Sequence, residues 1–330
     1  MSRPLPVAVV GAGAMGTHHA RNYAELPAAD LRAIVDVDVE RAERLAARFR
    51  CRAYACVEEF LAEEPSVAAV SVAVPTALHV GVASTLLAAA RHVLVEKPIA
   101  ATVEEAEELV GLARANGVVL AVGHVERFNP AVRTLRERVR RRELGDVLSL
   151  LARRVGLMPP RVHDANVLLD LAIHDVDVFR FLLDAGDPDE VYCNAGKALN
   201  GDLFDFADVF LRFGRVGCLL QVNWLTPVKV RSLAVTGTRG YAELEYVRQE
   251  LELFPAQRVR ETESFAQVAR YSEVRPERVA IDSAEPLRRE LEGFVAHARG
   301  RAGEIVTGEE GTASLAVVET IVAAADAARR

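Results

Sequence analysis

Near its start the chain reads Val7-Ala8-Val9-Val10 and then Gly11-Ala12-Gly13-Ala14-Met15-Gly16. An apolar strand running into a glycine-spaced turn and on into a helix-length segment, Met15 to Glu25, predicts a βαβ unit with a phosphate-binding loop. Gly11 permits the tight turn, Gly13 the approach of backbone to a pyrophosphate, and Gly16 the packing of helix on strand. The helix N-terminus then faces the negative charge, with Ala12, Ala14 and Met15 completing the loop. Glycines cluster in many turns, and the loop by itself also fits a turn without ligand. Asp36 adds weight: it closes the next apolar run, Arg32-Ala33-Ile34-Val35, roughly 20 residues beyond Gly16, where a carboxylate accepts the adenosine ribose hydroxyls. A carboxylate there repels a 2′-phosphate, which points to NAD; Arg41 close by leaves NADP open. His18 and His19, inside the helix, read as packing or solvent residues.

The alternation of short apolar runs with helical segments continues through Val67–Val74, His92–Val95 and Val118–Val122, as a parallel sheet covered on both faces requires. After Gly123 the texture changes to a basic helix (130–142), a strand (147–155), a helical stretch (170–183) and period-two runs at 207–213, 218–224, 232–235 and 241–244. Two helices, 286–299 and 310–328, joined through a short strand at Ile305-Val306, end the chain. A length of 330 residues exceeds what one core usually serves. The expectation is α/β: an N-terminal doubly wound Rossmann domain, 1–123, and a C-terminal α+β domain, 124–330, whose sheet is mostly antiparallel. A net charge of -7 gives no general attraction to nucleic acid or an anionic membrane. The four cysteines form no CxxC pair and no Cys/His cluster, which predicts a reduced, cytoplasmic chain without metal. The first residues carry no leader-like pattern, so secretion is not expected. Residues 67–90 contain no Asp, Glu, Lys or Arg, yet Pro75, Thr76 and His79 interrupt them, so they read as strand, turn and helix rather than a membrane span.

The strand His92–Val95 runs directly into Glu96-Lys97-Pro98, placing an ionisable pair at a strand's carboxyl end, where open α/β sheets bind ligands. Together with the glycine loop and Pro75-Thr76-Ala77-Leu78-His79, this pattern resembles the glucose-fructose oxidoreductase, inositol dehydrogenase and rhizopine catabolism (Gfo/Idh/MocA) family along nearly the whole chain. The resemblance implies NAD(P)-dependent oxidation of an alcohol. It assigns Lys97 to the reacting hydroxyl and Glu96 to holding the cofactor, and sets the loop with Pro75, Thr76 and His79 against the nicotinamide side. It also implies a cis bond before Pro98. Taken alone, Lys97 also fits a surface lysine at a strand end, and Thr76 a helix cap.

In Asp170-Leu171-Ala172-Ile173-His174, positions 170 and 174 are four apart and share one helix face. A carboxylate beside an imidazole, which titrates near neutral pH, suits proton transfer; a helix-starting Asp with a packed His is the plain alternative. The family's Asp-x-x-x-His motif falls on these two residues. Asp175 and Asp177 read as helix-surface or structural carboxylates.

Substrate choice is expected from Gly123-His124-Val125-Glu126-Arg127-Phe128-Asn129-Pro130 and from Asn223-Trp224-Leu225-Thr226-Pro227-Val228-Lys229-Val230-Arg231. Both resemble the part of the family that oxidises UDP-N-acetylglucosamine at C3. Lys229 and Arg231 alternate on a strand and could pair with a diphosphate. Arg127, Asn129, Arg154 and Trp224 are further candidate substrate contacts, with Arg153 and Arg161 in reserve. Arginines on sheet edges are usually solvated, and Trp224 fits a core as well as a substrate wall. Inositol or a simple sugar as substrate, and a non-catalytic dinucleotide-binding regulator, are the competing readings. The exposed face of the second sheet predicts a homodimer or homotetramer.

Overall fold

A computed structural model describes residues 3–158, 166–199, 201, 203–256 and 275–327. They fall into two compact units: 1–128 with 285–316, and 129–284 with 317–330. The division differs from a single boundary at 123/124, because a late segment of the chain returns to the first unit.

The first unit alternates β1 (Leu5–Val10), α1 (Ala14–Glu25), β2 (Ala29–Val35), α2 (Val39–Phe49), β3 (Arg52–Tyr54), α3 (Val57–Glu63), β4 (Ala69–Val72), α4 (His79–Ala88), β5 (His92–Glu96), α5 (Val103–Ala115) and β6 (Leu120–Gly123). The strands form one sheet in the order β3-β2-β1-β4-β5-β6, parallel throughout. This is the doubly wound order, with its switch point between β1 and β4. A sheet with helices on both faces buries the side chains of its central strands, and β4 is buried at every position and β5 at all but its first. That requirement explains why residues 67–90 carry no charge: they divide into β4, a turn and α4. No helix among the described residues is long and apolar enough to cross a membrane. Local chemistry sets the helix starts. Asp38 caps α2 by accepting from the Arg41 N–H, and Thr102 with Glu105 forms a reciprocal capping box on α5.

The second unit comprises α6 (Pro130–Arg140), β7 (Val147–Leu157), a π turn (Leu168–Ala172), α7 (Ile173–Leu183), β8 (Glu190–Gly196), β9 (Phe206–Phe213), β10 (Val216–Asn223), β11 (Leu225–Gly237), β12 (Gly240–Glu245), β13 (Glu250–Pro255) and β14 (Glu277–Arg278). The strands form an eight-stranded sheet in the order β14-β13-β12-β11-β7-β10-β9-β8. Among the described residues, only β7 and β10 of this sheet pair in parallel; its other pairings are antiparallel. Alternation sends Leu150, Ala152, Leu211, Cys218 and Leu220 into one core with Leu135 of α6 and Val176 and Phe179 of α7. Leu148, Leu151, Leu219 and Tyr192 stay exposed. β8 has no counterpart in the sequence reading: it is an edge strand whose exposed and half-buried residues alternate, so it lacks an apolar run.

After β14 come α8 (Pro286–Ala298) and α9 (Gly308–Ala327). Leu287, Leu291, Phe294 and Val295 of α8 join the first unit's core with Val7, Tyr23 and Leu94. Each such side chain contributes roughly 1.5–3 kcal/mol of burial, which explains why this helix belongs to the first unit. Ile305-Val306 makes no regular strand; Thr307 forms an isolated bridge to Ala121, and Val306 accepts from the Val122 N–H.

Candidate active site

In the first unit the expected cofactor residues gather at the carboxyl ends of β1, β2, β4 and β5. The glycine loop leaves β1 with Gly11 at φ +99°, and the Gly11 N–H donates to the Val35 carbonyl at 2.7 Å. A Cβ on Gly11 would stand 2.4 Å from the Ala73 carbonyl oxygen, and one on Gly16 would stand 1.7 Å from that of Gly11. Both positions therefore need glycine for packing. Gly13 differs, since nothing lies within 4 Å of an added Cβ. That open space lies over the N-terminus of a helix with no acidic residue in its first turn, an arrangement with room and N–H donors to receive an anion.

Asp36, at the end of β2, turns its carboxylate to the loop: Oδ2 accepts from the Ala12 N–H at 2.7 Å and Oδ1 from the Asp38 N–H at 2.8 Å. Arg41 lies 4.0 Å from Asp36 and 3.0 Å from Asp38. Loop, helix terminus and carboxylate fit a dinucleotide with a free 2′-hydroxyl.

Beyond β4, Pro75 is exposed, Thr76 half-buried and His79 buried. His79 is a tie between loops rather than a surface contact. Its Nδ1 lies 2.8 Å from the Pro98 carbonyl and its Nε2 3.0 Å from that of Val74. Burial lowers its imidazole pKa below the ordinary value, against the two backbone hydrogen bonds, which raise it. The 97–98 peptide bond is cis. Lys97 follows β5 and is half-buried, while Glu96 beside it is buried.

Glu96 also shows what the sequence reading missed. His19, which reads from the helix as a packing or solvent residue, is completely buried, and its Nε2 lies 2.8 Å from Glu96 Oε1. Burial pushes the Glu96 carboxyl up, but the hydrogen bond and charge of His19, with the charge and backbone N–H of Lys97, outweigh it. The carboxyl therefore lies below its ordinary value. The signal was present in the helix periodicity: Gly16, Ala20 and Tyr23 mark the buried face of α1, and His19 shares it.

In the second unit, Asp170 lies inside the π turn and His174 is the second residue of α7; both are half-buried. The sequence predicts a regular helix through both. Instead the Ile173 N–H reaches the Leu168 carbonyl, five residues back, a π turn of the kind that recurs at functional sites. Asp175 and Asp177 are buried rather than on the helix surface.

The expected substrate residues are dispersed. The Arg154 guanidinium is buried against Asp175, with Nε 2.6 Å from Oδ2, and the Tyr246 hydroxyl donates to Asp175 Oδ1 at 3.0 Å. Asn129 caps α6 through the Ala131 N–H and donates to the Tyr246 carbonyl. Trp224 belongs to the core of the second unit. In the first unit Arg127 is buried and paired with Glu310. These four side chains hold the protein's own structure. Arg153 stands exposed with Gln221, and Arg161 lies outside the described residues. Lys229 is exposed and Arg231 half-buried, its Nη1 donating to the Val155 carbonyl. Among the described residues no group of three or more His, Cys, Asp or Glu is arranged to hold a metal ion.

Residues 5–124 match the family model described as oxidoreductase family, NAD-binding Rossmann fold, and residues 132–243 match the GFO/IDH/MocA C-terminal domain. The chain is 32% identical to UDP-N-acetylglucosamine 3-dehydrogenase of Acidithiobacillus ferrooxidans, over 87% of this chain and 86% of that one. The solved structure of that enzyme superimposes with a TM-score of 0.85 at 29% identity, covering 99% of both chains. GenD2 from gentamicin A biosynthesis, solved in complex with NAD, gives a TM-score of 0.84 at 27% identity, covering 100% of this chain and 96% of that one. Inositol 2-dehydrogenase of Acidothermus cellulolyticus is 32% identical over 59% of this chain and 58% of that one.

Proposed function

Because the chain belongs to the Gfo/Idh/MocA oxidoreductase family, we propose that it oxidises a secondary alcohol of a nucleotide sugar with NAD, and that the substrate is UDP-N-acetylglucosamine, converted to its 3-keto derivative. The observation that carries the substrate is 32% identity to an enzyme of that name along most of both chains. NAD supplies the hydride acceptor when bound. The open space at Gly13 suits the pyrophosphate of either dinucleotide, and the Asp36 carboxylate favours NAD over NADP. In this reading Lys97 takes the hydroxyl proton as the alcohol carbon is oxidised, His174 is the second proton carrier, and Asp170 orients it or binds a neighbouring hydroxyl. Lys229, exposed on β11, and Arg231 are proposed to meet the diphosphate.

The assay is purified protein with NAD and UDP-N-acetylglucosamine, coupled to an amine-transferring enzyme that removes the ketone. Reduced cofactor should appear, and it should not appear with N-acetylglucosamine alone. Absence of reduced cofactor with the nucleotide sugar sinks the substrate assignment. A relative named for inositol favours a second reading, in which myo-inositol is turned over and the nucleotide sugar is not.

We also propose that the outer face of the second unit's sheet pairs with a second copy of the chain. Leu151, Leu219 and Tyr192, in one cross-strand row, are 45–63% exposed there, an apolar area that water leaves poorly solvated. Light scattering should give a dimer or larger; a monomer at assay concentration removes the proposal.

A further inference from the structure

The Glu96 carboxylate is fixed from three directions within the first unit. His19 of α1 meets Oε1, and Oε2 accepts from the Lys97 N–H at 3.3 Å. On the third side β6 pairs Gly123 with Glu96, and a Cβ on Gly123 would stand only 3.0 Å from the carboxylate carbon. Only glycine leaves that seat free. A buried His–carboxylate pair seldom repays its desolvation in stability alone, so its position matters. His19 stands three residues past Gly16, on the helix whose N-terminus faces the open space at Gly13, and Glu96 immediately precedes Lys97. One hydrogen bond thus ties the cofactor helix to the residue before the reactive lysine.

We propose that His19 is a positioning residue for Lys97: it holds Glu96 in one place and in its ionised form, and Glu96 in turn fixes the Lys97 backbone and the negative charge that steadies the ammonium formed when Lys97 takes the proton. The inference rests on the dehydrogenase reading for the role of Lys97; the His19–Glu96 pair itself does not. Among the described residues the titratable groups facing Glu96 are His19 on α1, Lys97 after β5, and His79 on α4, whose imidazole burial lowers while the Glu96 charge opposes that lowering. β6 presents Gly123. With His19 removed, burial remains and the largest opposing contributions are lost, so the Glu96 carboxyl must move upward.

The test uses the full-length protein with His19→Phe, which fills the ring volume without a donor, and His19→Gln, which keeps a neutral donor. Glutamate labelled at the side-chain carboxyl carbon reports Glu96 by NMR, its resonance identified by loss in Glu96→Gln. The wild-type carboxyl should titrate below the ordinary glutamate range, His19→Phe above it, and His19→Gln between the two. In parallel, kcat should gain an acid limb in His19→Phe that the wild type lacks, with a loss of roughly tenfold per unit of pH below the raised Glu96 pKa. His19→Gln should show the limb at lower pH. A merely structural role lowers kcat equally at every pH, and that result overturns the positioning claim. If His19→Phe does not fold, an unshifted Glu96 in His19→Gln overturns the pair. If the wild type oxidises no alcohol, the dehydrogenase reading fails, and the carboxyl titration still decides whether His19 governs Glu96.

Discussion

Replacing Asp175 by Asn should destabilise the second unit, because it takes from the buried Arg154 charge the carboxylate it is paired with. Arg154 is 4% exposed and Asp175 0%, with Nε 2.6 Å from Oδ2. The guanidinium carbon also lies 4.9 Å from the centroid of the Tyr246 ring. Asn keeps an oxygen for the Tyr246 hydroxyl, so the change isolates the charge. Breaking one side of such a buried pair costs about 3–5 kcal/mol. In a unit of this size that lowers its melting temperature by about 6–20 °C.

Urea titration followed by tryptophan fluorescence measures this directly. The chain's one tryptophan, Trp224, lies in the core of the second unit, so the signal reports that unit even where the two do not unfold together. The control is the double replacement Arg154→Met with Asp175→Leu, which removes both charges but also takes the Asp175 acceptor from the Tyr246 hydroxyl, so it should fall about 1–3 kcal/mol short of wild type. Tyr246→Phe should cost about 1.5–3 kcal/mol, as a hydrogen bond to a buried charge does. A loss below about 1 kcal/mol for Asp175→Asn, the value of a solvated surface pair, would refute the reasoning. So would a double variant as unstable as the summed singles.

The phosphate loop separates folding from binding. Gly13→Ala meets nothing within 4 Å and should leave stability unchanged while weakening NADH binding at least about tenfold, whereas Gly16→Ala, with its Cβ 1.7 Å from the Gly11 carbonyl oxygen, should destabilise the first unit in calorimetry. Asp36→Ala removes the charge that repels a 2′-phosphate and leaves Arg41 nearby, so kcat/KM for NADP relative to NAD should rise roughly tenfold or more; an unchanged ratio would show that Asp36 does not select the cofactor. Lys97→Met should lower kcat about 10²–10⁴-fold with NADH affinity, read by fluorescence quenching, unchanged.

What was legible in the sequence depended on how far apart the interacting residues lie. Gly11, Gly13 and Gly16 act within six residues, so their spacing makes turn and helix packing legible, while the phosphate role needed Asp36 beside it. The apolar runs of β1, β4, β5 and β6 are local as well, since burial on both faces admits few charges. Asp36 was legible because the length of one βαβ step sets its distance. β8 was not, because an edge strand needs no apolar run.

Arg154 and Trp224 show a different limit. In β7, Leu150 and Ala152 point inward, so a strict two-residue period places Arg154 inward too. Its burial was readable, but its partner was not, because Asp175 lies on another element. Arginine chemistry suits a substrate diphosphate and a buried aspartate equally, and only the fold chooses between them. The same holds for His19, whose helix face was readable while its partner stands 77 residues away. Local pattern therefore tells which way a side chain points, and the topology tells what it meets. In this chain β5 lies two strands from β1 in the sheet order, and that places the carboxylate beside the lysine under the first helix. The physical content of the Glu96-Lys97-Pro98 tripeptide thus resides largely outside it, in a histidine of α1, a glycine of β6 and a histidine of α4.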